Sequence, residues 1–182
     1  MIDDLQYDTL SSIIWFEINC MKLNPDKCHF IIAANTHEHL WVKVGESLIW
    51  ESQEEKLLGV TIDNNLKFSI HLSNICKKAS QKLSALGRVA KLLPFQRKRV
   101  LLKTFIESQF SYCPLVWMSC SRKINRKINH IHERSLRIVY KDYISSFDEL
   151  LVKDNSASNH HRNIQYDAIE LYKIVNNLSP LL

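Results

Sequence analysis

The stretch MKLNPDKCHFIIAA, residues 21–34, separates two kinds of sequence pattern. Before it, apolar residues recur at helical spacing over residues 4–21, and acidic residues stand near the start of that run, where the helix dipole favours them. The helix must end before Pro25, because proline has no amide hydrogen and pushes the preceding residue out of the helical region. The apolar residues 28–33 then predict a short buried strand.

Residues 40–62 carry the alternating pattern of antiparallel strands. Apolar and polar residues alternate over residues 40–44, residues 45–47 suit a turn, and residues 48–50 predict the returning strand of a hairpin. The segment KLLGVTI, residues 56–62, predicts a further strand, in which Gly59 indicates a bulge or a close backbone contact.

The apolar period changes after residue 65, from two to the three and four of a helix. We predict a long helix over residues 68–93, a second from Pro94 to Cys113, a third whose apolar stripe spans residues 124–138, and a fourth over about residues 159–175. The expected fold is α+β and mostly α. Residues 1–66 would form a helix with a small antiparallel sheet, and residues 67–182 a helical bundle.

Charge is distributed unevenly along the chain. Residues 1–66 hold four Lys and eleven Asp or Glu, whereas residues 67–141 hold seventeen Lys or Arg against two Glu. A net charge of +5 for the 182 residues therefore hides a strongly basic middle.

The cysteines and the apolar segments indicate the cellular environment. Five cysteines without a C-x-x-C pair predict reduced thiols in an intracellular protein of the nucleus or cytoplasm. The N-terminal residues lack the pattern of a signal peptide, and no run approaches the roughly 20 apolar residues of a membrane span. We expect a soluble chain with no membrane partner.

Several sequence blocks occur in a recognisable order. They are W-F-x-x-N-x-M-x-L-N-P-D-K-C at 15–28, K-L-L-G-V-T-I-D-x-x-L-x-F-x-x-H at 56–71, K-K-A-S-x-K-L-x-x-L-x-R at 77–88, S-Y-C-P-L-V-W at 111–117, E-R-S-L-R at 133–137, and H-x-R-N-I-Q-x-x-A-I-E-L-Y-K-I-V-N-N-L-S-P at 160–180. Their order and spacing resemble the reverse transcriptases of retrotransposons without long terminal repeats, the jockey-like LINE group. The resemblance covers essentially the whole chain.

The resemblance implies a C-terminal fragment of an RNA-directed DNA polymerase. Residues 1–66 would be the end of the palm, and the rest would be the thumb and a helical extension. Lys27 in the Asn-Pro-Asp-Lys turn would then lie near the phosphates of the incoming nucleotide. The alternative is that Lys27 is a solvated lysine at the start of a strand.

The carboxylates that such polymerases need are not in the expected context. Two Mg²⁺ ions would be held by motifs upstream of Trp15, one of them an aromatic-x-Asp-Asp turn. Asp3 and Asp4 imitate that turn, but no hydrophobic strand precedes them and too few residues separate them from Trp15. We therefore expect no catalytic residue, no metal ligand and no cofactor in this chain. Mg²⁺ is expected only for the intact parent enzyme.

The fragment would have two kinds of partner. The missing palm and fingers of the parent polymerase would cover apolar surface that we expect to be exposed on the helix at residues 4–21. The basic middle would bind the backbone of RNA or of an RNA/DNA duplex, because phosphates supply its counter-charge and carry no base identity.

The predicted phosphate contacts lie on three of the helices. They are Lys77, Lys78, Lys82, Arg88, Lys91, Arg97, Lys98, Lys103, Lys123, Arg126, Lys127, Arg134 and Arg137. Two alternatives stay open: that these residues form solvated faces balanced by the acidic first third, or that the chain is a non-enzymatic basic helical module that binds nucleic acid or a partner protein.

Two other groups of residues are candidates for a zinc site and for base stacking. Cys113, Cys120, His130 and His132 form a loose Cys/His group, but a zinc site needs tighter spacing, so packed or solvated side chains are the preferred interpretation. Trp15, Trp41, Trp50 and Trp117 are interpreted as core anchors and not as base-stacking platforms.

Overall fold

A computed structural model describes residues 2–33, 40–117 and 121–178 of the chain. The chain divides into two compact units, an N-terminal unit of Met1–Phe68 and a helical unit of Ser69–Leu182. The boundary predicted from the change in apolar period lies two residues earlier. The fold is α+β and mostly α, as predicted.

The N-terminal unit begins with helix α1, Ile2–Ile18. The chain leaves the helix before Pro25, as predicted, and residues Pro25–Lys27 form a single 3₁₀ turn. Asn24 stabilises this turn, because its Oδ1 accepts a hydrogen bond from the amide of Asp26 at 3.0 Å.

The predicted strand at residues 28–33 is not formed. These residues have no regular secondary structure, and most of them are only half-buried. One backbone bond, from the Ser52 amide to the Phe30 carbonyl at 3.0 Å, ties the segment to the chain that follows β2 (Ser47–Trp50). The apolar composition predicted that this segment is buried. A strand also needs a neighbouring strand to pair with its backbone amides and carbonyls, and composition does not show whether one is present.

The first hairpin is formed as predicted by β1, Trp41–Val44, and β2. The strands pair antiparallel, with Trp41 opposite Trp50 and Val44 opposite Ser47. Gly45 in the two-residue turn has φ +61°, a value that glycine adopts without strain. Helix α1 covers the edge of β1, where the Gln6 amide group both donates to the Lys43 carbonyl and accepts from the Lys43 amide.

The prediction of one continuous strand at residues 56–62 is wrong. The chain forms a second antiparallel hairpin there, from β3, Glu54–Leu57, and β4, Val60–Asp63. Leu58 and Gly59 are its two turn residues, and both have positive φ. Gly59 therefore marks a tight turn of the type that fits a two-residue hairpin, and not a bulge.

The helical unit contains three of the four predicted helices and part of the second. Its elements are α2 (Ser69–Val89), α3 (Phe95–Leu101), α4 (Pro114–Trp117), α5 (Arg122–Tyr140), α6 (Phe147–Asp154) and α7 (Asn159–Val175). The predicted second helix is interrupted, because residues Leu102–Ile106 form a π segment and Glu107–Phe110 a 3₁₀ turn. Helix α6 was not predicted, although Ser146 and Glu149 form a capping box at its start.

The helical unit has an apolar core, with a few buried polar and charged side chains beside it. Leu72 of α2, Leu102 of the π segment, Ile128 and Leu136 of α5 and Leu150 of α6 all have less than 2 % of their surface exposed. These side chains hold α5 against its neighbours on one side only. The opposite side of α5 is consequently left for solvent or a ligand.

None of the helices in the described residues combines the length and apolar character needed to cross a membrane.

Candidate nucleic-acid interface

Helix α5 separates its apolar and its charged residues onto opposite sides. Its buried side includes Ile128, Ile131, Leu136 and Val139. Its exposed side consists of Arg122, Lys123, Arg126, Lys127, His130 and Arg134, which we call the α5 basic face. Steps of four, three and four residues place Lys123, Lys127, His130 and Arg134 along one line, and Arg122 and Arg126 lie beside it.

The α5 basic face is long enough for several phosphate contacts. A helix of 19 residues is about 28 Å long. Duplex nucleic acid carries roughly one negative charge per 1.7 Å of its axis, so several phosphates lie within that length. Glu133 is the only acid in α5.

His130 is a member of this face that the sequence analysis assigned elsewhere. Its side chain is 67 % exposed, and it lies one turn from both Lys127 and Arg134. Its spacing from those cations was the available signal.

A second set of predicted contacts lies on α2, α3 and the segments beside them. The exposed members are Lys77, Lys78, Arg88, Lys91, Arg97 and Lys103. Lys82 is half-buried, and its Nζ lies 5.9 Å from the centre of the Phe105 ring in a cation–π contact.

Lys98 does not belong to the surface where it was predicted. Only 3 % of the residue is exposed, and its Nζ donates a hydrogen bond to the Val139 carbonyl at 2.9 Å. The ammonium thus satisfies a carbonyl in the last turn of α5 and is withdrawn from phosphate. Its four-residue spacing from the buried Leu102 was the signal that it faces inward.

Arg137 is partly committed to a neighbour on its own helix. Its Nη2 and Nε donate to Glu133 Oε1 at 2.6 and 3.2 Å, and 21 % of its side chain is exposed. Arg137 remains at the edge of the basic face, but it would bind phosphate only in competition with Glu133.

A buried ionic cluster lies behind the basic face. Glu107 Oε2 accepts from Arg162 Nη1 at 2.9 Å, and Glu107 Oε1 lies 3.3 Å from His132 Nε2. Burial raises the pKa of Glu107, but the His132 imidazole and the Arg162 guanidinium outweigh it and lower that pKa to about 2. The cluster joins α5, α7 and the 3₁₀ turn after the π segment, and sequence reasoning missed it.

A second polar cluster fixes the C-terminal end of α5. Asp154 Oδ1 accepts from Arg99 Nε at 2.9 Å and from the Tyr140 hydroxyl at 2.7 Å. Burial and the hydrogen bond to Asp154 raise the pKa of Tyr140 to about 12. Arg99, next to Lys98 in the sequence, is therefore also engaged within the protein.

Lys27 is exposed at the end of the 3₁₀ turn. The strand expected to follow it is not formed. Lys27 is therefore a solvated lysine, as in the alternative, but it does not stand at the start of a strand. A contact with nucleotide phosphate stays a prediction.

Among the described residues, the acids at the start of the chain are not arranged like the Mg²⁺ ligands of the reverse transcriptases that the sequence resembles. Asp3 and Asp4 lie in the first turn of α1 and not in a strand–turn–strand hairpin. Within residues 2–33, 40–117 and 121–178, no three His, Cys, Asp or Glu side chains are placed to hold a metal ion. Cys120 of the loose Cys/His group lies outside the described residues. We derive no catalytic step through a metal.

The interpretation of the tryptophans as core anchors is wrong for three of them. Trp15, Trp41 and Trp50 are 55 %, 48 % and 57 % exposed. Trp41 and Trp50 face each other across the first hairpin, on the side away from α1. The side chain of Trp117 lies outside the described part of the chain.

Comparison with known proteins gave no match: no family model, no curated protein and no solved structure is significantly similar to this chain.

Proposed function

We propose that this chain binds the backbone of an RNA or RNA/DNA duplex through its helical unit, as the end-of-palm and thumb part of an RNA-directed DNA polymerase. The observation that carries the binding proposal is the α5 basic face. Five Lys or Arg side chains project from one side of a helix whose other side is buried. A surface with so little compensating acid has phosphate as its natural counter-ion.

The binding would be independent of base sequence. Lys and Arg on the outside of a helix reach phosphate oxygens, and phosphates position a protein on a duplex without identifying bases. A thumb that holds successive positions of a growing primer–template needs this property. Lys77, Lys78, Arg97 and Lys103 would supply further contacts of the same kind.

The polymerase identity is supported by the order of the sequence blocks at residues 15–28, 56–71, 77–88 and 160–180. Because Asp3 and Asp4 begin a helix and not the turn of a strand hairpin, the chain is proposed to be inactive by itself, and the palm and fingers of such a polymerase would be its protein partners.

A non-enzymatic basic module is the second candidate. The helical unit has an apolar core of its own, which would let it bind nucleic acid without the rest of a polymerase. Primer extension with Mg²⁺ by a complex with palm and fingers separates the two candidates, since only the polymerase fragment would restore synthesis.

A salt titration tests the binding proposal. Affinity of the purified chain for a labelled RNA/DNA duplex is measured between about 50 and 300 mM salt, where each phosphate contact adds about −0.9 to the slope of log K against log salt concentration. We expect a slope steeper than about −3. A flat response would remove the backbone-binding proposal.

A further inference from the structure

Helix α1 has apolar residues on two opposite sides. One side, with Leu5, Thr9 and Ile13, lies towards β1 and is half-buried. The other carries a stripe of exposed residues at helical spacing, Tyr7, Leu10, Ile14 and Ile18, which are 72, 50, 55 and 75 % exposed. Apolar stripes on two opposite sides of a helix are normally both covered by other elements or by a partner.

The charges of α1 are all of one sign. Asp3, Asp4, Asp8 and Glu17 are its only charged residues. At about 100° per residue, Glu17 lies on one side of the exposed stripe and Asp8 on the other. The outer surface of α1 is therefore an apolar stripe with an acidic border.

The helical unit contains an apolar groove, and the charges near it are positive, opposite in sign to those of α1. A groove of about 240 Å³ lies between α2 and the chain around the π segment, and it is lined by Ala85, Val89, Leu101 and Phe105, with Lys82 at its rim. Val89 and Phe105 are 42 % and 53 % exposed, so the groove is open to a partner.

The rim of this groove is basic. Lys82 is the charged residue among those that line the groove, and residues 69–106, which form both walls, contain no Asp or Glu. Lys78 lies one turn before Lys82 on α2 and is exposed. An acidic amphipathic helix is the occupant that matches both the apolar floor and this rim.

We propose that the outer stripe of α1 of one copy docks into the α2–π groove of a second copy of this chain. The stripe from Tyr7 to Ile18 spans about 16 Å of helix, long enough to cover the groove, whose α2 wall from Lys82 to Val89 spans about 10 Å. The charges are complementary: the acids of α1 would meet Lys78 and Lys82 in a part of the chain without Asp or Glu, whereas two α1 helices packed together would oppose acid to acid. The inference does not depend on nucleic-acid binding.

Sedimentation equilibrium of the full chain tests the proposal. We expect reversible self-association, weakened at least about tenfold by Ile14→Glu in the stripe and by Ala85→Glu in the groove, since each puts a carboxylate into the apolar contact. Both positions are exposed, and circular dichroism checks that helical content is kept. Leu171→Glu, at an exposed position on α7, is the matched control and should leave association unchanged.

A mixing experiment identifies the two surfaces. The Ile14→Glu chain keeps its groove and the Ala85→Glu chain keeps its helix, so an equimolar mixture should regain association that neither shows alone. Failure of the mixture to associate would indicate another pairing, such as α1 with α1, and would overturn the proposal.

Two other results would also overturn it. One is a wild-type chain that stays monomeric up to about 100 µM. If that monomer also bound a synthetic acidic amphipathic helix, the groove would be a binding site for another protein and not for a second copy. The other is association that Leu171→Glu abolishes and Ile14→Glu leaves intact.

Discussion

Glu133 and Arg137 lie one turn apart on α5 and are joined by hydrogen bonds of 2.6 and 3.2 Å from Arg137 Nη2 and Nε to Glu133 Oε1. This pair holds the only acid of the helix against its basic face. It thereby lowers both the charge of that face and the freedom of Arg137 to bind phosphate.

Glu133→Gln should strengthen duplex binding. The change removes one negative charge and releases Arg137, so we expect affinity to rise about twofold to fivefold and the salt slope to steepen by about 0.9. Fluorescence anisotropy with an RNA/DNA duplex measures both. Glu170→Gln is the matched control, because Glu170 forms a similar pair with Lys173 on α7. Equal effects of the two changes would contradict this role for Glu133.

Lys98→Ala should destabilise the helical unit. It removes a buried side chain and leaves the Val139 carbonyl without the donor at 2.9 Å, at a cost of about 2 kcal/mol or more. Urea unfolding gives the change in free energy.

Arg97→Ala is the control for Lys98→Ala, because Arg97 is the adjacent, exposed cation. It should alter stability by less than about 0.5 kcal/mol but weaken duplex binding. If the Lys98→Ala chain kept its stability but bound the duplex less tightly, Lys98 would have to be assigned to phosphate binding and not to the buried contact with Val139.

The free energy of unfolding should fall in acid through Glu107. The pKa of Glu107 is lowered from 4.5 to about 2 in the folded chain. Its contribution is therefore complete above about pH 4.5 and is lost as the pH falls towards 2, by up to about 3 kcal/mol. Urea unfolding between pH 2 and 7 measures this loss.

Glu107→Gln should be less stable than wild type at pH 7 and should lose less stability between pH 4.5 and 2. An identical acid dependence in the two chains would show that Glu107 is not the responsible group.

Charge reversal on α2 tests whether binding is blind to sequence. Replacing Lys77, Lys78 and Lys82 by Glu should weaken binding to all duplex sequences by the same factor, because phosphates carry no base identity. Reversal of Glu54 and Glu55 to Lys should not weaken it. Losses that differ between sequences would indicate base readout.

Regular patterns predicted much of the fold. The helix before Pro25, the hairpin at residues 41–50 and the long helix α2 followed from periodicity and proline chemistry. The segment at 28–33 did not, because apolar composition cannot say whether a strand finds a hydrogen-bonding partner. At residues 56–62, the pattern did not show that Leu58 would adopt positive φ beside Gly59 and reverse the chain.

The site was predictable where a residue's environment depends on its own helix. The exposure of Lys123, Lys127 and Arg134 follows from the apolar period of α5. Lys98 and the pair of Glu107 with Arg162 depend on contacts over 41 and 55 residues of sequence. Such contacts depend on how separate helices pack together, and the spacing of residues along the sequence does not reveal this.

The affinity of an α5 triple variant for an RNA/DNA duplex tests the central claim most directly. Lys123, Lys127 and Arg134 are replaced by Glu, and the control reverses the exposed Lys22, Lys43 and Lys56 for the same change in net charge. We predict an affinity at least about 100-fold lower for the α5 variant, a salt slope shallower by about 2.7, and a much smaller effect of the control. An α5 variant that keeps its helical content and binds the duplex like wild type would contradict the assignment of this face to nucleic acid.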